Sequence, residues 1–140
     1  PKTMHPTRDL PVFLKITASL GRDPLKTLIS CPLSYGYGGA MGPSQFIPST
    51  WIMYTAKVMA ATGKKTADPW IPEDAFMASA LYLRDLGAAS GKYVDEQNAA
   101  CKYYSGQSCA KSKAAAGYGA SVMKKANDIQ INKIDLLKNI

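Results

Sequence analysis

The segment "YGYGGAMGPSQFIPSTW", residues 35–51, constrains the fold more than any other part of the chain. Gly36, Gly38, Gly39 and Gly42 crowd together, and Pro43 and Pro48 follow. Met41, Phe46, Ile47 and Trp51 are interleaved with them. A flexible linker would not carry such large apolar side chains, so this backbone must be bent and closely packed at once. Glycine permits positive φ and lets another backbone or a ligand approach closely. Two arrangements need that: a turn packed tightly against helices, or a groove wall presenting amides and carbonyls to a polar, extended ligand. Gln45 lies between the glycines and the next helix. Its amide has donors and an acceptor suited to a sugar hydroxyl or acetamido group, although bonding to local backbone is the plainer explanation. A phosphate-binding loop fits poorly, because no Gly-Lys-Ser/Thr follows.

The rest reads as mainly α. Over 9–20, Leu10, Phe13, Ile16 and Leu20 fall near one helical face, with Pro11 in the first turn and Gly21 at the stop. Ser49 is expected to cap a helix from Thr50 to about Thr62, with Gly63 beyond it. Trp51, Tyr54 and Val58 form one apolar stripe of that helix. Ile52, Ala56 and Met59 form another, which predicts burial on most sides. After the loop "TGKKTADPWIP", Glu73 and Asp74 open a helix on which Phe76, Ala80 and Leu83 share a face; Gly87 ends it. Further helices are expected over about 95–104 and 118–127, with a short amphipathic helix in the tail, 128–140. No period-two run is long enough to read as a strand.

A chain of 140 residues with 46% hydrophobic composition is expected to fold as one domain. No apolar run approaches the roughly 18–20 residues that span a bilayer. The first residues, "PKTMHPTRDLP", carry no initiator Met and no signal peptide, and are expected to begin a mature form or an excised fragment. A net charge of +7 and a pI near 9.3 attract polyanions such as nucleic acid, anionic wall polymer or lipid headgroups. The basic residues form only scattered pairs, Lys64-Lys65, Lys111/Lys113 and Lys124-Lys125, which favours a solvated surface over a recognition helix.

The three cysteines are Cys31, Cys101 and Cys109. The spacing in "CKYYSGQSC" fits no common zinc pattern, and the single His5 cannot complete one. A Cys101–Cys109 disulfide in an oxidising compartment is the favoured reading, with two reduced thiols as the alternative. Cys31 is then left over, its partner expected elsewhere.

The run "GYGGAMGPSQFIPSTW" resembles the signature of lytic murein transglycosylases of the membrane-bound lytic transglycosylase B-like group, in the SLT and lysozyme-like superfamily. Residues 39–49 follow its Gly-Ala-Met-Gly and Gln-Phe-Met/Ile-Pro-Ser order. Downstream, "DPWIPEDAFMASALYLRDLGA", "AACKYYSG" and "GYGASVM" resemble later helices of the family, so the likeness runs over about residues 8–127. It implies a mainly helical, lysozyme-like domain with a substrate groove, and cleavage of the β-1,4 bond between N-acetylmuramic acid and N-acetylglucosamine in peptidoglycan. The muramyl 6-hydroxyl displaces the leaving sugar from its own anomeric carbon, leaving a 1,6-anhydro end. One glutamic acid serves as acid and then base. Ordinary glycoside hydrolases need two carboxylates.

The resemblance also implies site residues. Gln45 would contact the glycan, with Gly39, Ala40, Met41 and Gly42 as the adjoining wall. Tyr103 or Tyr104 would orient the catalytic acid, and Tyr35 and Tyr37 could stack on sugars. Phe46 and Trp51 are expected in the core. The family's glutamate, however, precedes the glycine-rich segment, and the only glutamates here, Glu73 and Glu96, follow it. Both open helices, where a dipole role is the plainer explanation. No catalytic residue is therefore expected in this chain, the acid lying upstream of Pro1; Glu73 remains a weak candidate. "TGKKTADP" lacks the acidic ligands of the calcium loop some members carry. No metal or other cofactor is expected. The expected partner is the peptidoglycan glycan strand, met by a monomer in the bacterial cell envelope, with membrane association through an upstream anchor and no nucleic acid.

Four hypotheses follow: a transglycosylase fragment lacking its catalytic helix; a non-catalytic wall-binding module; a hydrolase using Glu73 in a cleft opposite Gln45; and, on charge alone, a nucleic-acid binder.

Overall fold

The computed structural model describes residues 2–34 and 36–138. The expectation for Tyr35 lies outside the described residues. The chain is helical, and the only β-pairing among the described residues is two isolated antiparallel bridges, Ile29 with Met41 and Met41 with Phe46. It divides into two compact units, Pro1–Leu81 and Tyr82–Ile140.

In the first unit, α1 (Leu10–Ser19) starts at Asp9, with Pro11 in its first turn, where a missing N–H costs nothing. Gly21 follows at φ +63. Phe13 and Ile16 are buried, as the periodicity requires. α2 (Pro48–Thr62) starts earlier than expected and is not capped by Ser49. Pro48 takes the first helical position, which suits its fixed φ, and Ile47 before it is extended, as a residue preceding proline prefers. Gly63 ends the helix at φ +70.

One α2 stripe, Trp51, Tyr54 and Val58, is buried; the other is not. Ile52 and Ala56 are exposed and Met59 is half-buried, so the helix has one inner face, not an apolar circumference. Phe46 packs edge-on to Trp51, with ring centroids 5.8 Å apart. The first turns of α3 (Pro72–Asp85) bury Asp74, Ala75 and Ala78, while Phe76 points to solvent. The buried face is thus made by the small alanines rather than by the face carrying Phe76.

In the second unit, α4 (Tyr93–Ser105) and α5 (Lys113–Ile129) pack together; both run longer than their expected spans. Ala99, Ala100 and Cys101 on α4 and Ala115 and Gly119 on α5 are buried. A Cβ on Gly119 would lie 2.5 Å from Cys101 Sγ, so the two helices meet at glycine distance. The Cys101–Cys109 disulfide is formed, and Ser112 caps α5 by accepting from the Ala115 amide. The tail continues as a π-helical turn (Gln130–Ile134) and α6 (Asp135–Leu137), all of it at the surface apart from half-buried Asp135. No described helix is long and apolar enough to cross a membrane.

Candidate functional site

The glycine-rich segment folds back on residues 28–31. The Ser30 amide donates to the Ala40 carbonyl (2.9 Å), the Gly39 amide to the Ser30 carbonyl (3.0 Å) and the Ala40 amide to Ser30 Oγ (3.0 Å). The Met41 amide donates to the Phe46 carbonyl (2.8 Å), closing a turn over 42–45. Three glycines of the segment leave no room for a Cβ. At Gly42, φ is +62, and a Cβ would sit 1.7 Å from the Pro69 carbonyl oxygen. At Gly39, φ is +100, and a Cβ would meet the Met4 side chain at 2.4 Å. At Gly38 a Cβ would lie 2.5 Å from the Ser30 carbonyl oxygen. Close packing therefore accounts for all three.

The same fold leaves a cleft of about 370 Å³, lined by Leu28, Ile29, Ser30, Ala40, Gly42, Pro43, Gln45 and Trp70. Gln45, at φ +55, is a non-glycine residue in left-handed conformation. Its Nε2 donates to the Gly42 carbonyl at 2.8 Å, so the amide both tightens the turn and borders the cleft. Ala40 and Gly42 share that wall. Met41 is fully buried and Gly39 is also inside, so the two pack the core instead of facing the cleft. Tyr37 is exposed, its ring 4.8 Å from that of His5.

Three carboxylates, Asp9, Asp68 and Asp74, are anchors, a role that the sequence did not reveal. Asp9 is buried, and its Oδ1 accepts from the Ser49 amide at 3.2 Å, so the free N-terminus of α2 is met by a residue from α1's own start. Arg8 donates to its Oδ2 at 2.6 Å. Burial pushes the Asp9 carboxyl up, but the hydrogen bonds from Arg8 and Ser49 outweigh it and hold the group below its ordinary 3.8.

Asp68 takes Arg22 Nη2 at 2.6 Å on one oxygen and the Trp70 amide at 2.8 Å on the other. Asp74 accepts from Lys64 Nζ (2.6 Å) and from the Asp68 amide (2.9 Å). Lys64 also pairs with Glu73. Bonding to Asp74 and then Glu73 raises the Lys64 ammonium above its ordinary range. A second cleft, of about 540 Å³, runs past Lys64, Asp68 and Asp74.

Glu73 is not among the residues that line the Gln45 cleft. It is 67% exposed and engaged by Lys64. Nothing in its geometry makes it a buried acid, and the hydrolase arrangement is set aside. Glu96 lies in the first turn of α4.

Residues 8–135 match the family model described as the transglycosylase SLT domain. The chain belongs to the transglycosylase SLT domain family. The domain's substrate is peptidoglycan, in the cell envelope, and its fold is the helical, lysozyme-like one seen here. No curated protein and no solved structure matches the chain.

Within this SLT domain, the second unit holds the two tyrosines of interest. Tyr103 lies against Tyr82, with ring centroids 5.2 Å apart, and Tyr104 stacks on Tyr118 at 4.7 Å and 14°. Cys31 is a free, exposed thiol. Sequence reasoning passed over Asp9 and Trp70. Asp9 reads as the start of its own helix, and Trp70 reads as part of a proline-bounded loop. Only the packing of distant segments reveals either one's partner.

Proposed function

We propose that this chain forms part of the glycan groove of a membrane-bound lytic transglycosylase B-like enzyme, which cleaves the MurNAc–GlcNAc β-1,4 bond and leaves 1,6-anhydro-muramyl ends. The observation that carries this reading is the cleft made by the signature itself, with Ala40, Gly42 and Gln45 on one wall. A turn braced by glycine contacts and by the Gln45 side chain is rigid, and a polar, extended polymer binds best to a preorganised surface. Tyr103 or Tyr104 orients the acid in this scheme, on the strength of the family likeness.

The chain itself contributes groove and not acid. Each carboxylate of the first unit is held by a partner: Asp9 by Arg8 and Ser49, Asp23 by Lys26, Asp68 by Arg22, and Glu73 and Asp74 by Lys64. A general acid must instead be protonated at working pH and aimed at the leaving oxygen. We place that glutamate upstream of Pro1. The disulfide supports an oxidising, extracytoplasmic setting. The same engaged carboxylates, with a net charge of +7, also favour a second reading, a non-catalytic module that holds peptidoglycan.

The test is co-sedimentation with purified peptidoglycan, followed by mass spectrometry of the soluble products, for this chain and for Glu73→Gln. Binding without product is expected. Anhydro-muropeptides that vanish in Glu73→Gln would make Glu73 the acid and overturn the scheme. Repeating the digest with the native upstream sequence attached separates the two readings: anhydro product identifies the enzyme, and binding without product identifies the module.

A further inference from the structure

We propose that Trp70 is the platform on which a pyranose ring of the glycan stacks, and that the strand passes over it through two adjoining clefts. The proposal rests on the glycan-groove reading above and adds to it a binding residue and a direction. Trp70 lines the Gln45 cleft and also a neighbouring one of about 370 Å³, bordered by Arg22, Asp23, Lys26, Thr27 and Leu28. Leu28 is common to both, so the clefts share a divide made of one leucine and one indole. Each cleft is at the small end of the range for ligand pockets, on the scale of a sugar unit or two.

The indole is held on several sides although it is only half-buried. Its amide donates to Asp68 Oδ1 at 2.8 Å and its Nε1 to the Leu28 carbonyl at 2.9 Å. The Arg22 guanidinium lies over the ring, 4.9 Å from its centroid, and is itself fixed by Asp68. Phe13 meets the ring edge-on, with centroids 6.5 Å apart. Asp68 is in turn held by Asp74, and Asp74 by Lys64.

A tryptophan that merely fills the core looks like Trp51, which is 1% exposed. Trp70 is instead fixed by two hydrogen bonds, Arg22 and Phe13, and keeps part of its ring at the divide between two clefts. Its one polar hydrogen is already used, so what remains for a ligand is apolar aromatic surface. The C–H face of a pyranose matches that surface, while the ring hydroxyls reach the polar groups on either side. Because the ring is immobilised before binding, little side-chain entropy is lost on contact.

The chain has only two tryptophans, which makes the proposal directly readable. The probe is chitotetraose, a soluble N-acetylglucosamine oligomer, titrated against the native chain while indole fluorescence and its quenching by acrylamide are followed. Saturable change, with reduced quenching in the bound state, is expected, and Trp51→Phe should retain it. Trp70→Phe, verified as folded by circular dichroism, should lose the signal and bind peptidoglycan about tenfold more weakly. Wild-type chain that sediments with peptidoglycan while Trp70→Phe sediments equally well would overturn this proposal alone. Unchanged indole quenching in wild-type chain that does bind would do the same without any variant. Failure of wild-type chain to bind peptidoglycan at all would remove the glycan-groove reading and this proposal with it.

Discussion

The two compact units solve the same problem, holding short helices in place, by opposite means. The first uses polar anchors, Asp9 to Ser49 and Asp68 to Arg22 between segments 40 and 46 residues apart and Asp74 to Lys64 over ten, together with the close packing of Gly42 on Pro69. The second packs α4 directly on α5, with Gly119 against Cys101 and Gln97, closed by a disulfide over eight residues. Long-range polar anchoring suits a loop-built surface, because each bond fixes a backbone position without filling the space beside it. In the helix pair, small side chains and a covalent tie hold the two helices together.

The largest expected effect strikes the first unit. Gly42→Ala puts a methyl group into the Pro69 carbonyl and strains a positive φ, and should cost about 3 kcal/mol or more, read as a fall in the thermal midpoint. A loss under about 1 kcal/mol would mean that the signature turn is not the rigid element described here. The second unit should answer most to its staple. Cys101→Ala/Cys109→Ala should cost about 2–3 kcal/mol by loop-closure entropy, with faster amide exchange in residues 93–129 and little change around α2. Exchange rising equally in both units would erase the contrast.

Asp9 gives a smaller effect with a pH signature. Asp9→Asn should cost about 1–2 kcal/mol at neutral pH, because Arg8 loses its ion pair and the Ser49 amide a charged acceptor. The folded carboxyl sits below its unfolded value, so the unfolded chain binds the proton more readily. The contribution is complete above the ordinary 3.8 and is lost as pH falls through the lowered folded value. Denaturant midpoints of wild type and variant should therefore converge in acid; a gap that stays constant from neutral pH into strong acid would contradict the anchor. The smallest change is Glu73→Gln, an exposed partner of Lys64, expected to shift stability by no more than about 0.5 kcal/mol. A larger loss would show that the Lys64 cluster, and with it the first unit, depends on its outer carboxylate as well as on Asp74.

Much was legible in the sequence alone. Phe13 and Ile16, and Trp51, Tyr54 and Val58, fell where helical periodicity put them, and Gly21 and Gly63 took the left-handed conformations expected of stops. The Cys101–Cys109 disulfide, favoured from the short spacing over two reduced thiols, is formed. What failed was the second stripe of α2. Ile52 and Ala56 meet solvent, because periodicity counts apolar residues but not the neighbours available to cover them. The Ser49 cap failed for a related reason: a serine before a helix is a good local guess, but Pro48 had already set the start, and the Ser49 amide found its acceptor 40 residues away.

By itself, then, the sequence determined the helical class, the principal helices, the family and the need for a bent, packed backbone at residues 35–51. These depend on side-chain period, proline and glycine stereochemistry and the order of a motif, all local properties. Only the tertiary structure decided that Met41 is core while Ala40, Gly42 and Gln45 border a cleft, that Glu73 is a surface ion-pair partner, and that Trp70 stands between two clefts. Those outcomes depend on which distant groups meet. A buried carboxylate or a half-buried indole is defined by its partners, and the partners of Asp9, Asp68 and Trp70 lie far along the chain.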